Sequence, residues 1–232
     1  MYIDWTYIVL VLPAVIFSIW ASNRVSKTFQ KYQNQQSMRR ITGAQAARMM
    51  LDSNGLRNVR IDQISGNLTD HYDPTANVVR LSSSVYNNTS TAAIGVACHE
   101  VGHAIQHATD YKPVKIRSAI VPITNIGSKL ATPLIIGGLI LGAFAYFFTY
   151  FAYAGIICFA LCTFFQLITL PTEFNASKRA MESIKSQGIL YDSELQSAKE
   201  VLNAAAMTYV AALAVSLMQL IRFIALVGRR RR

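Results

Sequence analysis

Acidic side chains are scarce in this chain, with twelve Asp and Glu against 22 Lys and Arg in 232 residues. Charged residues of both signs make up only 15% and apolar residues 52%, a balance that argues against an ordinary soluble domain. Cysteine is limited to Cys98, Cys158 and Cys162, so there is no disulfide framework to read. From Leu130 to Leu170 charge is absent altogether, a stretch about twice the ~20 residues that one membrane span needs. The apolar N-terminal segment, Ile3 to Ala21, lacks a preceding basic run, and Asn23 breaks the small-residue cleavage pattern of a secretory signal. It reads as an uncleaved anchor.

What remains is organised around apolar segments. Residues 1–22 form the anchor, 23–129 a polar domain, and 130–171 a hairpin of two spans, roughly 130–150 and 153–171, with Tyr146, Tyr150 and Tyr153 near its turn. Residues 172–203 follow as a helix that Pro171 is expected to start, and 204–232 as a last apolar helix with a basic tail. The expected fold class is α+β, mainly helical, with about four membrane helices. The net charge of +10 would ordinarily raise nucleic acid. Its cations, however, sit beside the apolar segments, at Arg24, Lys27, Lys31, Arg39, Arg40 and Arg229 to Arg232. That distribution suits anionic lipid and no nucleic-acid partner. Residues 23–129 hold thirteen Lys and Arg against six Asp and Glu, which by the positive-inside rule puts this domain in the cytoplasm of a multi-pass cell-membrane protein. If the last segment crosses, Arg229 to Arg232 emerge on the other side, against the same rule.

The polar domain contains His99-Glu100-Val101-Gly102-His103, an H-E-x-x-H. Two histidines four apart project from one face of a helix and can share a zinc ion, with the intervening glutamate beside the metal-activated water. Thr89, Ser90 and Thr91 supply N-cap candidates, and the apolar residues from Ala92 to Cys98 lead into a helix of about five turns. Upstream, Gly43 to Leu51 reads as a helix ended by Asn54-Gly55, while Asn58 to Asp62 and Val78 to Leu81 read as strands. Strand pair, loop and metal helix is the order of a zincin-like catalytic domain. In such a domain Val78, Val79, Arg80 and Leu81 are the candidate edge strand for pairing with a peptide substrate.

Catalytic zinc takes three protein ligands. His107 lies roughly 12 Å along the helix from His99, too far for the same ion without a chain turn that the sequence does not provide. His71 stands in a loop-like stretch with nothing to support it. Glu173, in the first turn after Pro171, is the better third ligand, with Glu182 behind it. His107, Arg179 and Tyr209 are candidates for orienting a ligand or stabilising an oxyanion.

The H-E-V-G-H followed by a two-span hairpin and Glu173-Phe174-Asn175-Ala176-Ser177-x-x-Ala180 resembles the membrane-embedded gluzincins, among them the HtpX-like heat-shock peptidases and the CAAX prenyl endopeptidases. Over nearly the whole chain it is similar to a smaller bacterial family, the YugP-like zinc-dependent membrane metallopeptidases. The resemblance implies one zinc per chain on His99, His103 and Glu173, with Glu100 as base. It implies endopeptidase activity on a polypeptide substrate, with membrane proteins among the candidates. Ser177 stands where the HtpX-like pattern has an acid. Two other readings compete. An intramembrane protease would carry a later L-D-G, which is absent here, and a catalytically silent scaffold would close its metal with a fourth protein ligand.

Overall fold

The computed structural model describes residues 5–229, so Ile3 of the anchor and Arg230 to Arg232 of the tail lie outside the described residues. A π-helical turn, Tyr7–Val11, leads into α1 (Leu12–Tyr32), followed by α2 (Gly43–Ser53), β1 (Arg60–Ile64), β2 (His71–Asp73) and β3 (Val78–Ser82). The short α3 (Ser83–Tyr86) precedes α4 (Thr91–Ala108), and three long helices complete the chain: α5 (Lys112–Leu141), α6 (Thr149–Ser186) and α7 (Asp192–Arg229). The fold is mainly helical with one small sheet, as the composition predicts.

Two compact units emerge. The first comprises Met1–Trp20, Ile116–Leu170 and Thr208–Arg232, the second Ala21–Lys115 and Pro171–Met207. Four helices are long and apolar enough to cross a membrane: Tyr7–Tyr32, Lys112–Leu141, Tyr146–Ser186 and Asp192–Gly228. In the first unit, α5 and α6 approach at Gly138, where a Cβ would fall 2.3 Å from the Ala152 nitrogen. Close helix contact through small residues is what association in lipid favours. Thr163 and Ser216 share a hydroxyl hydrogen bond of 2.8 Å between α6 and α7, which satisfies both groups where water is absent. The turn of the hairpin carries Phe144, Tyr146 and Phe147 on its surface. It falls between Leu141 and Thr149, slightly earlier than the expected 150–153, because α5 ends at Leu141 with Gly142 directly after it.

In the second unit, Thr42 Oγ1 accepts from the Gln45 N–H and Gln45 Oε1 from the Thr42 N–H, so α2 opens on a capping box. The expected helix from Gly43 is present, and the strand expected at Asn58 to Asp62 begins two residues later. Three strands rather than two form the sheet, in the order β1-β3-β2, with β3 parallel to β1 and antiparallel to β2. This corrects two expectations. The stretch holding His71 is a strand, not a loop. And Val78, Val79, Arg80 and Leu81 are the sheet's centre, not its edge, because β2 covers the side that was expected to be open. Val78, Val79 and Leu81 are accordingly fully buried.

The helix boundaries near the C-terminal half also differ from expectation. Pro171 does not start a helix: α6 runs through it. Proline removes one backbone donor, and long apolar helices absorb that loss through their neighbours. Likewise the segment expected from Ala204 is the continuation of α7, which begins at Asp192. The core of the second unit lies where α2, α4, the sheet and the stretches of α6 and α7 within Pro171–Met207 meet, with Met50, Leu51, Leu81, Ile94, Ile184 and Ile189 fully buried.

Candidate metal centre

Ser90 caps α4, its Oγ accepting from the Ala93 N–H at 3.2 Å, and thereby fixes the register of the helix that carries the motif. Three turns on, His99 and His103 face α6 with side chains 12% and 14% exposed. Glu173, on the neighbouring turn of α6, is 3% exposed. Its Oε2 lies 3.3 Å from His99 Nε2 and 3.4 Å from His103 Nε2. One ligand atom from each of the three residues falls within 4.8 Å of the other two. The imidazoles meet edge to face, centroids 4.8 Å apart.

A glycine makes this approach possible. A Cβ on Gly102 would fall 2.6 Å from the Ala176 carbonyl oxygen, so any larger residue inside the motif would push α4 away from α6.

The imidazoles are held from behind. His99 Nδ1 lies 3.1 Å from Ser177 Oγ, and His103 Nδ1 lies 3.0 Å from Gln106 Oε1. Both Nε2 atoms therefore turn to the carboxylate. Two imidazole nitrogens and one carboxylate are a recurring catalytic zinc set, and the donor chemistry here fits that ion. Burial would push the His103 ring's pKa down. The hydrogen bond to Glu173, the charges of Glu100 and Glu173 and the contact with Gln106 outweigh it and raise the pKa above the usual imidazole value of 6.5.

Glu100 is 8% exposed, and its Oε2 accepts from the Tyr72 backbone N–H of β2 at 3.1 Å. The Tyr72 ring lies against His107, centroids 5.5 Å apart. His107 is thus beside Tyr72 and outside the ligand cluster. Arg179 donates from Nε to Asn175 Oδ1 at 2.8 Å and lies over the Tyr111 ring. Tyr209 belongs to the other unit, on α7. Glu182 is a surface residue paired with Lys178, and the exposed His71 bonds to the Thr69 carbonyl. Neither joins the cluster. Tyr72 and Gln106 are residues that the sequence did not single out. Tyr72 sits in a three-residue strand without a period, and Gln106 reads as an ordinary polar helix residue.

Known proteins are similar to this chain over nearly its whole length. A family model described as "Putative neutral zinc metallopeptidase" matches residues 7–228. The "Putative membrane protease YugP" of Bacillus subtilis strain 168 is 46% identical over 218 residues, covering 94% of this chain and 95% of that protein. No solved structure matches. A match over nearly the whole length, around a His-His-Glu cluster on two helices, means that this chain belongs to the neutral zinc metallopeptidase family.

Proposed function

We propose that the chain is an integral-membrane zinc-dependent endopeptidase, with His99, His103 and Glu173 as ligands and Glu100 as base. The observation that carries this reading is the convergence of three ligand atoms from α4 and α6 within 4.8 Å, beside a carboxylate held by backbone. A zinc ion on that triad would supply Lewis acidity toward a water and a peptide carbonyl. Glu100 acts through Oε1, since Oε2 is engaged by the Tyr72 N–H. It takes a proton from the attacking water and returns it to the amide nitrogen as the peptide bond breaks. The Tyr72 N–H holds the carboxylate in place and fixes the direction from which the proton is collected.

The substrate is a polypeptide, and membrane proteins are the natural class for an enzyme with four apolar helices. β2 is a sheet edge whose Tyr72 N–H already faces the base, so it is a fitting strand for main-chain contact with an extended peptide. The motif helix α4 is not among the four apolar helices, which favours cleavage of peptide outside the hydrocarbon over cleavage within a span. Three ligands rather than four, among the described residues, favour an open site over a structural staple.

The test compares zinc content and cleavage of unfolded casein for the detergent-purified wild type, Glu100→Gln and His103→Ala. The expected result is zinc and cleavage in the wild type, zinc without cleavage in Glu100→Gln, and neither in His103→Ala. Cleavage that survives Glu100→Gln would remove the proposed base.

A further inference from the structure

Gln106 is fully buried, yet the proposed reaction gives its amide nothing to do. We propose that Gln106 is a positioning residue that locks His103 in the tautomer with a bare Nε2 and ties that ring to the turn of α6 carrying Glu173. The inference rests on the metal reading above.

Gln106 Nε2 lies 2.7 Å from the Thr172 carbonyl oxygen, which can only accept. It also lies 3.0 Å from Asn175 Oδ1. That Asn175 atom receives the Arg179 Nε–H at 2.8 Å, and a guanidinium can only donate, so the Asn175 atom is an oxygen. Two acceptors thus fix which end of the Gln106 amide is nitrogen. The other end must be oxygen, and it stands 3.0 Å from His103 Nδ1. An amide oxygen can only accept, so the proton of the neutral ring sits on Nδ1. The lone pair is then on Nε2, the atom 3.4 Å from Glu173 Oε2.

His99 receives no such instruction. Its Nδ1 faces the Ser177 hydroxyl, which donates or accepts as required. The two histidines are therefore held differently, one by a group with a choice and one by a group without. Gln106 also reaches the residue next to Glu173, since Thr172 precedes it directly. One buried amide thereby relates a ligand on α4 to the backbone that sets the ligand on α6. Partners of this kind affect metal affinity by about 10- to 100-fold.

The experiment uses full-length protein in detergent and cobalt(II) as the probe, with affinity read by chelator competition and geometry by the visible spectrum. Gln106→Met keeps the bulk and loses every hydrogen bond; Gln106→Glu keeps an acceptor for His103 Nδ1–H but cannot donate to α6. Gln106→Met is expected to bind cobalt about 10- to 100-fold more weakly with an altered spectrum, and Gln106→Glu to recover a large part of that loss. Wild-type affinity and spectrum in Gln106→Met would overturn the role. Nitrogen-15 NMR of histidine-labelled, metal-free wild type reads the tautomer whether or not the variants fold. Read at a pH where the His103 ring is neutral, a proton on Nδ1 supports the assignment, and a bare Nδ1 with the proton on Nε2 overturns it. A folded wild type that takes up no cobalt would overturn the metal site itself, which is a different failure.

Discussion

Glu100 and His103 make opposite demands on protons, and each gives a prediction. Glu100→Gln preserves shape and removes the base, so cleavage should fall by about 10²- to 10⁴-fold with zinc content unchanged, as measured by initial rates and elemental analysis. His103 keeps its proton to higher pH than a free imidazole. In the metal-free protein that proton adds stability fully below the ordinary value of 6.5, and the gain is lost as pH rises through the raised value. Metal must displace the same proton, so zinc retention should decline as pH falls, beginning above pH 6.5. Equal zinc content after dialysis at pH 8 and pH 6 would contradict this. The three clustered residues were legible in sequence: two histidines at helical spacing, and Glu173 as the first acid after a long uncharged run. Gln106 was not, because its worth depends on Thr172 and Asn175, some 66 and 69 residues away.

At the scale of elements, the close packing of α4 on α6 decides whether the site exists. Gly102→Ala would set a methyl group 2.6 Å from the Ala176 carbonyl and should lower stability by about 1–3 kcal/mol together with zinc content. Melting temperature and metal analysis check both. Ser90→Ala removes the cap of the same helix and should cost about 1 kcal/mol while zinc binding persists, since no ligand moves. The contrast separates general loosening from loss of helix approach. Helices α2 and α4 could be read from sequence because their signals are local: the Asn54-Gly55 end of the one and the Ser90 cap of the other. β2 could not. It is three polar residues long and exists through partners elsewhere, in Val78 to Arg80 and the Arg80–Asp73 ion pair. The missed strand is also the reason that Val78 to Leu81 looked like an edge. The course of α6 through Pro171 was hidden for a different reason: the same residue that opens many helices is tolerated inside a long apolar one.

On the scale of the whole molecule, the sequence conveys the apolar helices through composition alone, and all four helices carry that signature. It conveys orientation only through charge. The excess of cations over acids in residues 23–129 predicts a cytoplasmic domain, with the hairpin turn near Tyr146 on the far side. An epitope placed in that turn should be reachable from outside intact cells, and one placed beside Met38 only after lysis. The reverse pattern would invert the topology. Within the first unit, Thr163→Val should cost about 0.6 kcal/mol by breaking the bond to Ser216, read as a small drop in melting temperature in detergent. Whether His99, His103 and Glu173 form an open three-ligand zinc site is decided by X-ray absorption of the zinc-loaded protein. Two imidazole nitrogens and two oxygen donors are expected, one from Glu173 and one from water. A zinc ion closed by four protein ligands, or unaltered coordination in Glu173→Ala, would contradict it.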